Sequence, residues 1–501
     1  MSVRALSART RRRFIRYAVL AVATAACAVV PAVAASAADP CSTPVNVIAC
    51  ENSKTGTDPS VWDISGAGDE DIQGFATDMS VTAGQQIRFK INTNASSYTI
   101  DIYRLGWYGG LGARKIAGVT PSASLPQTQP PCITDPATEI YDCGNWAVSA
   151  SWTVPSTAVS GVYIAKLTRP SNGSESHIAF VVRNDASTSK VFFKTSDATW
   201  QAYNDYGGSN FYHGGGNGRA FKISYNRPFA TRGVVDGRDY LFANEYPMIR
   251  FLERNGYDVS YTTDVDSDRR GNLIANHKLF LSVGHDEYWS GPQRAAVEAA
   301  RDSGTHLAFF SGNSVYWRTR WENSQDGTNT AHRTLVCYKE TWQNSKYDTS
   351  SNEWTGTWRD PRFSPPATGG GNPENALMGT LYKTNSVDMA LKVPADQGKY
   401  RLWRNTSVAT QSAGQTATLA PHTLGYEADE DVDNGFRPQG LIRVSTTTGP
   451  VDEYLTDFGN NVEPGVTTHN MTLYKAPSGA LVFGAGTVQW AWGLDTYHDS
   501  F

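Results

Sequence analysis

The chain has 501 residues, long enough for two or three domains, with only 18 % charged residues but 57 Trp, Tyr and Phe. Its net charge is −4, and removing the six arginines of the first 38 residues leaves 38 Lys and Arg against 48 acids, about −10. No long basic tract survives that removal, which argues against a binder of nucleic acid or anionic membrane, and the aromatic, charge-poor composition suits a sheet-rich extracellular protein.

Residues 1–38 carry Arg4, Arg9, Arg11, Arg12, Arg13 and Arg16 and no acid, then the apolar run Ala18 to Val33 and the small-residue site Ala35-Ser-Ala37. This is the pattern of a cleaved signal peptide rather than a helix of the fold. Thr10-Arg-Arg-Arg-Phe-Ile-Arg16 fits the twin-arginine form, which predicts a secreted protein exported after folding. Cys27 lacks the aliphatic residue three places upstream that a lipoprotein anchor needs, so no membrane anchor is expected. Residues 39–58 form an N-terminal extension in which Cys41 and Cys50 are close enough to pair, as are Cys132 and Cys143 further on; Cys337 is left as a buried free thiol.

From 59 to 183 the pattern is short alternating strands: Gln86 to Asn92, Tyr98 to Arg104, Gly161 to Leu167 and His177 to Val182. Gly, Ser and Pro turns separate them, and the reading is an immunoglobulin-like β-sandwich. The aromatic turn Gly106-Trp-Tyr-Gly-Gly110 is expected to pack on the next domain. Residues 184–190 are a polar connector, and a second domain runs from 190 to 501. Val191 to Thr195 opens it as a strand, followed by a loop rich in Gly and Tyr that holds Tyr203, Tyr206, Tyr212 and His213. Arg219 to Pro228 reads as a strand, Asp239 to Asn255 as a helix from its apolar spacing, and Asp258 to Thr263 as a strand.

Lys278 to Val283 is a short apolar strand, Ser290 and Pro292 start a helix that ends near Gly304, and His306 to Phe310 is a second apolar strand. A βαβ unit of this spacing makes the two strands parallel. His285, Glu287 and Asn313 then lie just past the carboxyl ends of those strands, where open α/β sheets bind ligands. The predicted domain is α/β with a mostly parallel sheet, of glutamine-amidotransferase-like or flavodoxin-like topology. Residues 318 to 375 show little periodicity and are expected to wall the site. Thr416 to Leu424 reads as a strand leading to Gly425-Tyr-Glu427, and Met471 to Ala476 and Ala480 to Gly484 as a hairpin. Gln489-Trp-Ala-Trp-Gly493 reads as core.

The turn after Gly284 offers His285, Asp286 and Glu287 where a hydrolase elbow would present Ser or Cys, so serine and cysteine nucleophiles are excluded there. Metal chemistry remains open. Glu287 and His285 are of ligand type, and tyrosinate is a hard oxygen donor that iron accepts. Each residue also has a bland role: His285 as a helix-capping side chain, Glu287 as a first-turn acid favoured by the helix dipole, the tyrosines as packing on the sheet.

Gly284-His-Asp-Glu-Tyr-Trp-Ser290, with Phe310-Ser-Gly-Asn313, Gln201-Ala-Tyr203, Phe211-Tyr212 and Gly425-Tyr-Glu427, resembles the large subunit of N,N-dimethylformamidase over roughly residues 190 to 495. The resemblance implies an amide hydrolase with one iron(III) per chain held by two tyrosines and a glutamate. Carried over by motif, Tyr203, Tyr212 and Glu287 would be the metal ligands, with Tyr206 and Tyr225 as fallbacks for the tyrosines. His285 would be the adjacent catalytic histidine, and Asn313 and Glu427 would position substrate or water, with Glu427 or His285 as general base. The implied partner is a small-molecule amide, and no small subunit is visible in the chain. Two alternatives remain. One is a zinc hydrolase on the same fold using His285, Glu287 and His213; the other is a non-catalytic surface protein whose aromatics bind glycan.

Overall fold

In the computed structural model, residues 39–43 and 45–500 are described, so the signal-peptide reading of residues 1–38 lies outside them. The first part is built from two packed sheets. One has three strands, in the order Ile72–Ala76, Gln86–Thr93, Ala150–Thr153. The other has five, in the order Ser80–Thr82, Ser174–Arg183, Gly161–Arg169, Thr99–Leu105, Ala113–Val119. All pairings are antiparallel except that of Ser80–Thr82 with the end of Ser174–Arg183. The inward residues of the alternating strands meet in a common core around Phe89, Trp152, Tyr163 and Phe180. Cys41–Cys50 and Cys132–Cys143 are disulfides, and Cys337 is a buried free thiol whose pKa burial raises to about 12.

The second part centres on a seven-stranded sheet in the order Val259–Thr262, Val191–Lys194, Leu279–His285, His306–Gly312, Leu481–Gly484, Thr472–Lys475, Ile442–Arg443. The first five strands are parallel, and the last two close the edge antiparallel. Parallel sheets need both faces covered. Phe280, Leu307, Phe309 and Val482 share one core with the helix Gly291–Asp302, while Leu281, Val283 and Ala308 share another with the helix Leu241–Arg254. The second core runs without a break into Tyr103, Val162 and Ile164 of the five-stranded sheet.

The helix Gly291–Asp302 begins as its sequence demands: Ser290 and Gln293 form a reciprocal capping box, and Pro292 sits in the first turn. Between the site strand and this helix the chain adds a short strand, Tyr288–Ser290, absent from the sequence reading. It belongs to a four-stranded sheet with Trp317–Glu322, Thr334–Val336 and Lys222–Ser224. The strand expected over Arg219 to Pro228 is therefore only three residues long. The region from 318, expected to lack regular structure, supplies two strands. Arg318 and Arg320 hide them from pattern reading, because both are buried with acidic partners, Glu353 and Asp348.

A small closed barrel of Leu381–Met389, Leu424–Glu430, Asn461–His469 and Thr447–Thr456 was likewise not legible. Two of its ladders carry register shifts, and Leu424–Glu430 is buried on both faces, so neither shows clean alternation. The strand expected at Thr416 to Leu424 is two strands, Thr416–Thr418 and Leu424–Glu430, and the second carries Glu427 within it. In the stretch read as core near the end, Val488 and Ala491 are buried while Trp490 and Trp492 are half-buried. The whole is a mixed α/β protein: a mostly parallel sheet with flanking helices, several antiparallel sheets and the small barrel. Among the described residues no helix is long and apolar enough to cross a membrane.

Candidate metal and catalytic site

Gly284 takes a left-handed φ of +74°, and a Cβ there would lie 2.7 Å from Cβ of Asn244. The pairing with His306–Gly312 ends one residue past that kink, at His285, and the side chain of Asp286 goes one way while those of His285 and Glu287 go the other. Asp286 goes under the sheet to Lys194, 2.6 Å away, and accepts the Ser282 hydroxyl. His285 and Glu287 go into a pocket at the strand ends. The backbone of Glu287 is held by Thr199 Oγ1, which accepts its N–H at 3.0 Å, and by the N–H groups of Tyr316 and Trp317, which donate to its carbonyl.

Two tyrosines converge on the Glu287 carboxylate. Tyr203, which caps the helix Asp197–Ala202, donates to Oε2 at 3.1 Å. Tyr212 reaches Oε1 and Oε2 at 2.7 and 2.8 Å, and the two rings stack with centroids 4.4 Å apart. The loop that delivers Tyr212 is fixed by Asn210, whose Oδ1 accepts the N–H groups of Tyr212 and His213. Behind Tyr212, Lys339 Nζ donates to Tyr288 Oη at 2.8 Å and Tyr288 donates to Tyr212 Oη at 2.7 Å. The Lys339 ammonium also lies over the rings of Tyr212, Trp317 and Trp342, at 3.8, 4.0 and 4.5 Å.

His285 sits between carboxylates. Its Nδ1 is 2.5 Å from Asp239 Oδ1, and its Nε2 is 2.7 Å from Glu427 Oε2 and 3.3 Å from Glu287 Oε2. Tyr426 Oη also bonds Asp239, and the Arg238 guanidinium covers the Tyr426 ring. Asn313, in a left-handed conformation, donates from Nδ2 to Glu427 Oε2 at 3.0 Å, while its own N–H donates to Asp429. Tyr382 donates to the other Glu427 oxygen.

The electrostatics follow from this packing. Burial pushes the Tyr203, Tyr212 and Tyr288 phenols well above their usual pKa, and the Glu287 charge adds to it. Burial also raises Glu287, against the pull of His285 and Lys339. For His285, burial favours the neutral ring but is outweighed by Glu427, Asp239 and Glu287, so its pKa lies well above the usual value. Glu427 is pushed up by burial and brought below its usual value by His285, Arg238 and Asn313. Asp239 rises by burial to about 6 despite His285, and Lys339 falls by burial to about 7 despite Glu287.

The six side chains singled out from the sequence, Tyr203, Tyr212, Glu287, His285, Asn313 and Glu427, thus fall in one hydrogen-bonded cluster. The fallback tyrosines lie elsewhere: Tyr206 packs on Tyr141 and Tyr225 donates to Asp197. His213 borders the same cavity, but its Nε2 is 3.3 Å from Asp205 Oδ1 and close to Asn210. Among the described residues no group of three or more His, Cys, Asp or Glu side chains is arranged to hold a metal, so a zinc set of His285, Glu287 and His213 lacks its third donor. The phenol–carboxylate set is different. Two phenol oxygens around one carboxylate form a hard donor group, and ionised it would carry three negative charges, matching a trivalent cation. The cation would supply the charge whose lack keeps buried phenols protonated. Asn313 Oδ1, buried in the same cluster, has no hydrogen-bond partner. The donor set is of the type that suits a hard trivalent cation such as iron(III).

Sequence reading missed Asp239, Tyr426, Tyr382, Tyr288 and Lys339. Asp239 was read only as the start of a helix, and Tyr426 was visible as the neighbour of Glu427. Lys339 has no local signal, since its meaning lies in rings that come from distant segments. In comparison with known proteins, residues 99–500 match a family described as N,N-dimethylformamidase beta subunit-like, C-terminal, so the match reaches upstream of the α/β part into the strand Thr99–Leu105. A search of curated proteins gives no match.

Proposed function

The chain belongs to the N,N-dimethylformamidase beta subunit-like family, and from that premise we propose that it is a mononuclear-iron hydrolase of a non-peptide amide C–N bond. The observation that carries this reading is the convergence of Tyr203 and Tyr212 on the Glu287 carboxylate. Iron(III), when bound, supplies Lewis-acid polarisation of the amide carbonyl. Tyr203, Tyr212 and Glu287 would hold it. Glu427 is the general base: its Oε2, kept ionised by His285 and oriented by Asn313 Nδ2, takes a proton from the attacking water. Water adds to the carbonyl carbon, the C–N bond breaks, and the proton passes from Glu427 to the departing nitrogen, giving an acid and an amine. His285, clamped by Asp239, holds Glu427 in place and stabilises its charge.

Around this centre we read the two N-terminal sheets as an immunoglobulin-like sandwich, with residues 59–183 and 190–501 as the two domains of a secreted protein. The two disulfides support an oxidising destination. Metal analysis of purified protein is expected to give one iron per chain, with a visible tyrosinate-to-iron charge-transfer band that Tyr203→Phe removes or strongly shifts. A colourless protein without stoichiometric iron would overturn the reading. Zinc in its place would move the chemistry to another metal.

A further inference from the structure

We propose that the substrate is an amide carrying one aryl-sized apolar group, on the acyl or the amine side, rather than a one-carbon amide. This deepens the amide-hydrolase reading and rests on it. The Tyr203–Tyr212–Glu287–Glu427 cluster opens into a cavity of about 330 Å³. That is within the range that houses drug-sized ligands, roughly 300–1,000 Å³, and several times what a dimethylated formamide fills.

The far wall of the cavity is made by Tyr316, Trp342, Tyr382, Leu455 and Val462. Its polar tips are already engaged. Trp342 Nε1 donates to the Gly459 carbonyl at 3.1 Å, Tyr316 Oη to the same carbonyl at 3.4 Å, and Tyr382 Oη to Glu427. What remains facing the space is ring carbon and aliphatic carbon. The rings are braced edge to face, Trp342 against Trp317 with centroids 4.9 Å apart and Tyr316 against Tyr382 at 5.0 Å. A rigid, preformed apolar wall favours a flat apolar group, because little ordering is left to oppose binding. The lining also includes Glu287, Glu427 and Arg238, whose guanidinium lies over the Tyr426 ring. Val462, 56 % exposed on the strand Asn461–His469, stands at the mouth.

The test uses the iron-loaded full chain with N,N-dimethylformamide, formanilide and benzamide. The expected result is a kcat/KM for at least one aryl amide about tenfold or more above that for N,N-dimethylformamide. Val462→Trp, which narrows the mouth at an exposed strand position, is expected to lower the aryl-to-small ratio about tenfold. Calorimetric binding of benzamide to the metal-free protein gives a readout without turnover, and it is expected to weaken in Trp342→Ala. Turnover of N,N-dimethylformamide at equal or greater efficiency would overturn this inference and leave the hydrolase reading intact, as would a Val462→Trp variant that lowers both substrates alike. Failure of all three amides would overturn the hydrolase reading and this inference with it.

Discussion

Glu287 and Glu427 lie within one cluster, and the proposed function gives them different tasks, metal ligand and general base, that substitution should separate. Glu427→Gln keeps the phenol–carboxylate set and removes the proton acceptor. Its kcat is expected to fall by about 10²–10⁴-fold while the visible band remains. Glu287→Gln is expected to lose iron itself, read by metal content. Asp239 touches neither substrate nor metal in this reading; it acts through His285 Nδ1, 2.5 Å away. Asp239→Asn is therefore expected to cost about 10–100-fold in activity or metal affinity, with a changed pH profile that a purely structural defect would not give. At this scale the sequence was informative where a short segment carries several functional residues, as in Gly284 to Glu287. It was silent where function is an encounter between segments: Lys339 acquires its role only from the rings of Tyr212, Trp317 and Trp342.

Among the elements, the turn at Gly284 decides whether the site exists. Gly284→Ala must hold an L side chain in left-handed backbone, costing about 1–2 kcal/mol, and its Cβ would press on Asn244. The expected outcome is a lowered Tm with loss of bound iron, since His285 and Glu287 both leave from this turn. The parallel strands and the capped helix were readable because apolar runs, Ser290 and Pro292 give local signals. The barrel was not: its strands bend through register shifts, and Glu427, Asp429 and Glu430 are buried with specific partners. Buried acids on a strand look like a loop to any rule that equates charge with solvent.

Across the whole molecule, pH stability is a contest of buried groups. His177 and His469 are buried, and burial lowers their pKa to about 3 and about 4. Unfolding lets them bind protons, so their contribution is present above the ordinary histidine pKa and is lost as pH falls from about 6.5 towards 4. Asp197, Asp239 and Asp429 work the other way. Burial raises them to about 6, 6 and 7, so their contribution is present below the ordinary carboxylate pKa and is lost as pH rises through those values. Wild-type stability between pH 4 and 6.5 is accordingly expected to be shallow. In His469→Gln the difference from wild type should shift in the variant's favour as pH falls, measured by denaturant titration at several pH values. A second prediction concerns Arg104, fully buried and paired with Glu253 at 2.7 Å. Arg104→Met leaves that carboxylate uncompensated and is expected to cost about 3–5 kcal/mol.

The Arg104–Glu253 pair also limits how the protein can be divided. Glu253 lies near one end of the helix Leu241–Arg254, where Tyr261 shares its carboxylate, and Asp239, which grips His285, lies just before the other end. Trp107 is clasped on the same side by Arg250 and Arg254. Anyone who trims the chain at 184–190 to harvest the half that holds the Tyr203–Tyr212–Glu287 cluster would strip the counter-charge from the rod that carries the histidine clamp. Such a fragment is expected to be recovered as insoluble aggregate, and exchanging the leading halves of two relatives should succeed only where the guanidinium and its seat travel together.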